Sequence, residues 1–125
     1  MKKASVWFEI YVDDIERATK FYENVLDTKL ELLGDPSHQG LKMMSFPGDM
    51  ESYGAGGALV QMEGVQAGGN STIVYFGSED SAIEESRVVR AGGRIMRPKM
   101  SIGEYGFISL CFDTEGNIFG IHSMK

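Results

Sequence analysis

The chain of 125 residues contains one cysteine, one tryptophan, two histidines and three prolines. Cys111, standing alone, cannot close an internal disulfide, which fits a reducing compartment such as the cytoplasm. No apolar run approaches the roughly 20 residues that span a membrane. The opening MKKASVWFEI has two lysines but lacks the apolar stretch of a secretory leader. Basic residues are also short, 12 Lys and Arg against 18 Asp and Glu, for a net charge of −6. Nonspecific nucleic-acid binding needs clustered cations, so that class is excluded. The acidic balance favours neutral or cationic ligands, and its main consequence is solubility.

What is present is an internal repeat. Residues 6–34 read as an alternating strand, an acidic turn, an amphipathic helix and a return strand, and residues 72–97 repeat that order. Asp13-Asp14 and Glu79-Asp80 mark the same place in each copy, about half a chain apart. The expectation is one domain over residues 1–125, made of two modules, about 1–62 and 71–125. The Gly-rich stretch 63–70 between them is too short to separate two domains.

In the first strand Val6, Phe8, Ile10 and Val12 alternate with Trp7, Glu9 and Tyr11. The apolar set is expected against the helix, and the aromatic set on the other face, also covered. Ile15, Ala18, Phe21, Tyr22, Val25 and Leu26 recur at helical spacing behind Asp13 and Asp14, which suit a cap and first turn. Strands are expected at 41–46 and 58–62. In the second copy Ala82, Ile83, Ser86 and Val89 are expected to form the buried helix face, with Gly92-Gly93 closing it. Residues 98–106 read as a long loop. Strands at 107–112 and 117–122 flank a hairpin turn, Asp113-Thr114-Glu115-Gly116. GAGGA at 54–58 precedes a strand rather than a helix, which excludes a phosphate-binding loop.

Each module thus reads strand, helix, three strands. With VWFEIYVDDIERATKFYENVL at 6–26 and FDTEGNIFGI at 112–121, the chain resembles the vicinal oxygen chelate superfamily, and most of all its glyoxalase/bleomycin resistance-like members. The resemblance implies an α+β fold of two βαβββ modules whose sheets form half-open barrels with helices outside. It also implies a site on the concave side and a homodimer. Metal enzymes of that superfamily carry His or Glu ligands on the first and last strands of each module. Those positions fall here at Trp7, about Ile73, Val60 or Gln61, and Gly120, none of which is a normal ligand for a divalent ion. No metal and no cofactor is therefore expected.

The residues expected to line the concave site are Trp7, Glu9, Tyr11, Met44, Phe46, Tyr75, Phe107, Ile118, Gly120 and His122, with Lys99 and Tyr105 closing over it. An aromatic wall with a few polar groups is what small-molecule sites look like. Glu9 and His122 are the candidate acid/base pair. His38, in a Ser-His-Gln loop, reads as solvated, and Cys111 as an inert core thiol. Met43, Met44 and Met62 lie on strands expected to line the cavity, where methionine suits an adaptable apolar surface as well as ordinary packing. The leading expectation is a metal-independent small-molecule binding protein. The alternatives are a lyase or isomerase using Glu9 and His122, and an interaction module with a vestigial cavity.

Overall fold

A computed structural model describes residues 3–34, 40–49 and 53–125. The first module contains β1 (Trp7–Tyr11), α1 (Ile15–Leu26), β2 (Glu31–Leu33), β3 (Leu41–Ser45) and β4 (Gly56–Met62). The second contains β5 (Val74–Gly77), α2 (Ser81–Val88), β6 (Arg94–Ser101), a 3-10 turn (Gly103–Tyr105), β7 (Phe107–Phe112) and β8 (Ile118–Ser123). The result is α+β, with two mixed four-stranded sheets ordered β1-β4-β3-β2 and β5-β8-β7-β6. Neither sheet closes into a barrel. Among the described residues β1 pairs only with β4 and β5 only with β8, both in parallel, so each module ends in an unpaired edge.

Local chemistry sets the helices. The Asp14 carboxylate accepts the Arg17 N–H at 3.1 Å and starts α1, and Asp27 in the left-handed region stops it. Ile15, Ala18, Phe21, Tyr22 and Val25 form its buried face. In α2 Asp80 accepts the Ala82 N–H at 3.0 Å. Its buried residues are Ser81 and Val88, whereas Ala82, Ile83, Ser86 and Val89 are exposed, so the expected face is displaced around the helix.

The modules share one aromatic core. Phe8 of β1 lies beside Phe46 and Phe76, with ring centroids 5.6 and 6.1 Å away. Tyr22 of α1 packs on Phe46, Phe76 and Phe119 at 5.7, 5.8 and 5.4 Å. Phe8, Ile10 and Val12 join this side as expected, but Val6 precedes β1 and is 80% exposed.

Polar groups fasten the same junction. The buried Glu115 carboxylate accepts the Asp13 and Asp14 N–H groups, both at 3.0 Å, and pairs with Arg17 at 2.7 and 2.8 Å. Burial alone would raise its pKa, but hydrogen bonds from Arg17, Thr114 and the Asp14 N–H outweigh it and hold the carboxyl at about 2. Asp113 accepts from the Tyr22 hydroxyl at 2.6 Å, and Asn117 reaches the Tyr11 carbonyl at 2.9 Å. Burial pushes the Asp113 carboxyl up, and the Tyr22 phenol well up.

Residues 98–106 do not form a loop throughout. β6 runs on to Ser101 with two register shifts along β7, and Pro98 sits in this edge strand. An edge tolerates proline because its missing N–H can face outward.

Candidate functional site

Strand pairing assigns the concave faces. In the first sheet Trp7, Glu9 and Tyr11 stand level with Gly56, Ala58 and Val60, and Met43 and Ser45 of β3 share that face. In the second, Tyr75 pairs with Gly120, Gly120 with Leu110, and Ile108 with His122, while Ile118 faces Phe112. Trp7 and Tyr75 are 44% and 45% exposed, so the aromatic face expected to be covered is open in the single chain.

Glu9 and His122, the candidate acid/base pair, are both already engaged. Glu9 is held between two aromatic donors, the Trp7 indole N–H on Oε2 at 3.2 Å and the Tyr11 hydroxyl on Oε1 at 2.9 Å. That hydrogen bond, with lesser help from burial and the nearby charge, raises the Tyr11 phenol's pKa. His122 Nε2 lies 2.7 Å from the Tyr105 carbonyl oxygen. Glu9 and His122 thus have separate partners and form no hydrogen bond with each other.

Where the edges of β1 and β5 meet, the surface opens. A cavity of about 770 Å³ is bordered by Phe8, Tyr53, Val74, Tyr75, Phe76, Ile102, Ile108 and His122. A recess of about 440 Å³ is bordered by Phe8, Glu9, Tyr11, Val74, Asn70, Asn117 and Ile118. Phe8 and Val74 border both, which makes the two openings parts of one seam between the modules. Trp7 borders a third hollow of about 600 Å³ with Phe46 and Tyr53.

Trp7, Glu9, Tyr11, Tyr75, Ile118, Gly120 and His122 lie on the concave faces or the seam. Four expected residues lie elsewhere. Met44 pairs with Leu59 and packs on the core beneath α1, where it borders a hollow with Ile15 and Thr19. Phe46 continues that parity, and its ring sits between Phe8 and Tyr22 while its edge borders the Trp7 hollow. Lys99 is drawn to the α2 side by Asp80, at 2.8 Å, and by Glu85, which accepts the Lys99 N–H at 2.6 Å. Phe107 lies beneath the Lys99 ammonium, 4.7 Å from its ring centroid, and so faces that side too. Tyr105 meets the site through its backbone carbonyl, its side chain being exposed. Phe8, Val74 and Phe76 were missed. They have helix-side parity, but among the described residues their strands are paired on one side only, so the cavity reaches them from the open edge. His38 lies outside the described residues.

The family model of the Glyoxalase/Bleomycin resistance protein/Dioxygenase superfamily matches residues 5–121. The chain belongs to that superfamily. Among solved structures, glyoxalase I from Zea mays is 23% identical with a TM-score of 0.73, over 94% of this chain and 45% of that one. This glyoxalase-superfamily chain thus spans under half the length of the maize protein. A hypothetical protein from S. aureus is 16% identical with a TM-score of 0.67, covering 98% of this chain and 95% of that one. A glyoxalase-related enzyme from Fulvimarina pelagi is 16% identical with a TM-score of 0.68, covering 98% and 88%. At these identities the likeness concerns the fold. No curated protein matches.

The metal centre of the superfamily's enzymes does not fit the residues here. Trp7 offers only a donor, which Glu9 takes. Gln61 spends its amide oxygen on the Ile15 N–H at 2.8 Å, and Val60 is apolar. A side chain at Gly120 would run into the Tyr75 ring, 2.3 Å from where its Cβ would stand. Among the described residues no group of three or more His, Cys, Asp or Glu is arranged to hold a metal ion. No helix of the described residues is long and apolar enough to cross a membrane.

Proposed function

We propose that the protein binds a small molecule without a metal, in the seam cavity and against the concave aromatic face beside it. The observation that carries this reading is the cavity of about 770 Å³, walled mainly by Phe8, Val74, Tyr75, Phe76 and Ile108 with His122 as a polar group. Its size and lining are those of a small-molecule site. The Trp7–Glu9–Tyr11 row adds two aromatic surfaces of fixed orientation. A lyase or isomerase using Glu9 and His122 is the weaker reading, because neighbours already occupy both groups.

We infer a homodimer from the open apolar surface at Trp7, Tyr75, Met96 and Met100 and from the unpaired edges of β1 and β5. Sedimentation giving a monomer mass at micromolar concentration would contradict that part. We also assign the protein to the cytoplasm, on its single free thiol. Calorimetric titration of chelator-treated protein with small aromatic probes tests the binding reading. Saturable one-to-one heats support it. Binding that appears only on adding a divalent ion would overturn it.

A further inference from the structure

β6 is read by β7 in an unusual rhythm. Arg94 pairs with Phe112, Arg97 with Leu110 and Met100 with Ile108, the register slipping between Ile95 and Arg97 and again between Arg97 and Met100. In a regular strand residues three apart point to opposite faces. Each slip inserts one unpaired residue, and an inserted residue re-aims everything after it. The partners Phe112, Leu110 and Ile108 are alternate residues of β7 and share one face, so Arg94, Arg97 and Met100 share it as well. That is the concave face carrying Tyr75, Gly120 and His122. Without the slips one of the two arginines would point to the α2 side, where Ile95 faces Cys111.

The ladder sets Arg94 level with Phe112 and Ile118, and Arg97 level with Leu110. Arg94 lies over the Phe112 ring, 4.4 Å from its centroid. Such stacking orients a guanidinium while leaving its N–H donors free. Among the described residues no ion pair or hydrogen bond engages the guanidinium of Arg94 or Arg97. Arg17, by contrast, is spent on Glu115, and Arg87 donates to the Val25 carbonyl at 3.1 Å. One ladder row runs Tyr75, Gly120, Leu110, Arg97, three strand steps and roughly 14 Å of backbone. The adjacent row holds Ile108 and His122, which border the seam cavity.

We propose that Arg94 and Arg97 form the anion-recognising end of this site, so that its ligand is an amphipathic anion, an aryl or acyl carboxylate. Its apolar body lies over Leu110 and Ile108 toward Tyr75, and its carboxylate meets the two guanidiniums. Paired guanidiniums suit a carboxylate because their fixed donors match its two oxygens. The inference rests on the small-molecule reading and adds the charge of the ligand, which the net acidity of the chain does not suggest.

The test is calorimetry with 2-naphthoate and its neutral counterpart 2-naphthylmethanol, on the wild type, Arg97→Gln, and Arg94→Gln/Arg97→Gln. All three proteins are checked for unchanged denaturation midpoints and sedimentation mass. Expected is a preference for naphthoate of about tenfold or more, removed in the double variant while the neutral probe binds unchanged. Arg97→Lys should keep part of the preference. Equal binding of the two probes, or a preference that survives the double variant, overturns the anion proposal and leaves the small-molecule reading standing. Binding of neither probe overturns both. Loss of a dimer in the double variant with the preference intact would assign the arginines to an interface and overturn the proposal.

Discussion

The ring of Tyr75 lies directly on Gly120, so that a Cβ added at Gly120 would stand 2.3 Å from two of its atoms. The two residues are level across β5 and β8. The glycine is a floor for the ring, and the ring fills the place where a side chain on the last strand would project.

Gly120→Ala should therefore destabilise by about 1–3 kcal/mol through overpacking. In a Tyr75→Ala background most of that cost should vanish, since the obstructing ring is gone. A urea double-mutant cycle checks this. Additive effects of the two changes would contradict the stacked arrangement.

Trp7 and Phe8 are neighbours on opposite faces of β1. Phe8→Ala removes a ring from the shared aromatic core and should cost about 2–4 kcal/mol, and Trp7→Ala about 1–2 kcal/mol because much of its ring is open. Chemical denaturation ranks the two. A larger loss for Trp7→Ala would reverse the assignment of strand faces.

The first module was legible because its signals agree. Alternation over residues 7–11, helical spacing from Ile15 to Val25 and an aspartate cap all point one way. α2 was less so. It is eight residues long and buries Ser81 beside Val88, so a small polar residue occupies a place where the pattern looks for an apolar one. The sequence places Met44 and Phe46 on the cavity, yet strand pairing turns them to the core, since a shift of one residue exchanges the faces. Pro98 reads as a loop residue, but a bulged edge strand holds it. Arg94 and Arg97 share a face only through that irregularity, which no alternation pattern announces.

Acid should loosen the junction between modules. Glu115 sits at about 2 in the fold against 4.5 for an ordinary glutamate. A carboxyl with a lowered folded pKa stabilises fully above its unfolded value, and that contribution fades as pH falls from about 4.5 toward 2. Glu115→Gln should cost about 1–3 kcal/mol at pH 7, since it weakens the bonds that a buried carboxylate accepts from the Asp13 and Asp14 N–H groups and from the exposed Arg17. The gap to wild type should narrow through that acid window. Denaturation midpoints measured from pH 7 to pH 2 check this, and a gap independent of pH would contradict it.

Cys111 should resist labelling. It is fully buried, and desolvation, with a smaller effect of Glu85, pushes its thiol up to about 12. At pH 8 a disulfide reagent should modify the native protein far more slowly than the denatured chain. Equal rates would show that β7 opens readily.

The central claim is tested most directly by calorimetric titration of metal-stripped wild type and Tyr75→Ala with 2-naphthoate. The account predicts saturable one-to-one binding to the wild type with chelator present, weakened about tenfold in Tyr75→Ala through lost stacking and apolar contact. Binding that requires an added divalent ion, or that is untouched by loss of the Tyr75 ring, would contradict it.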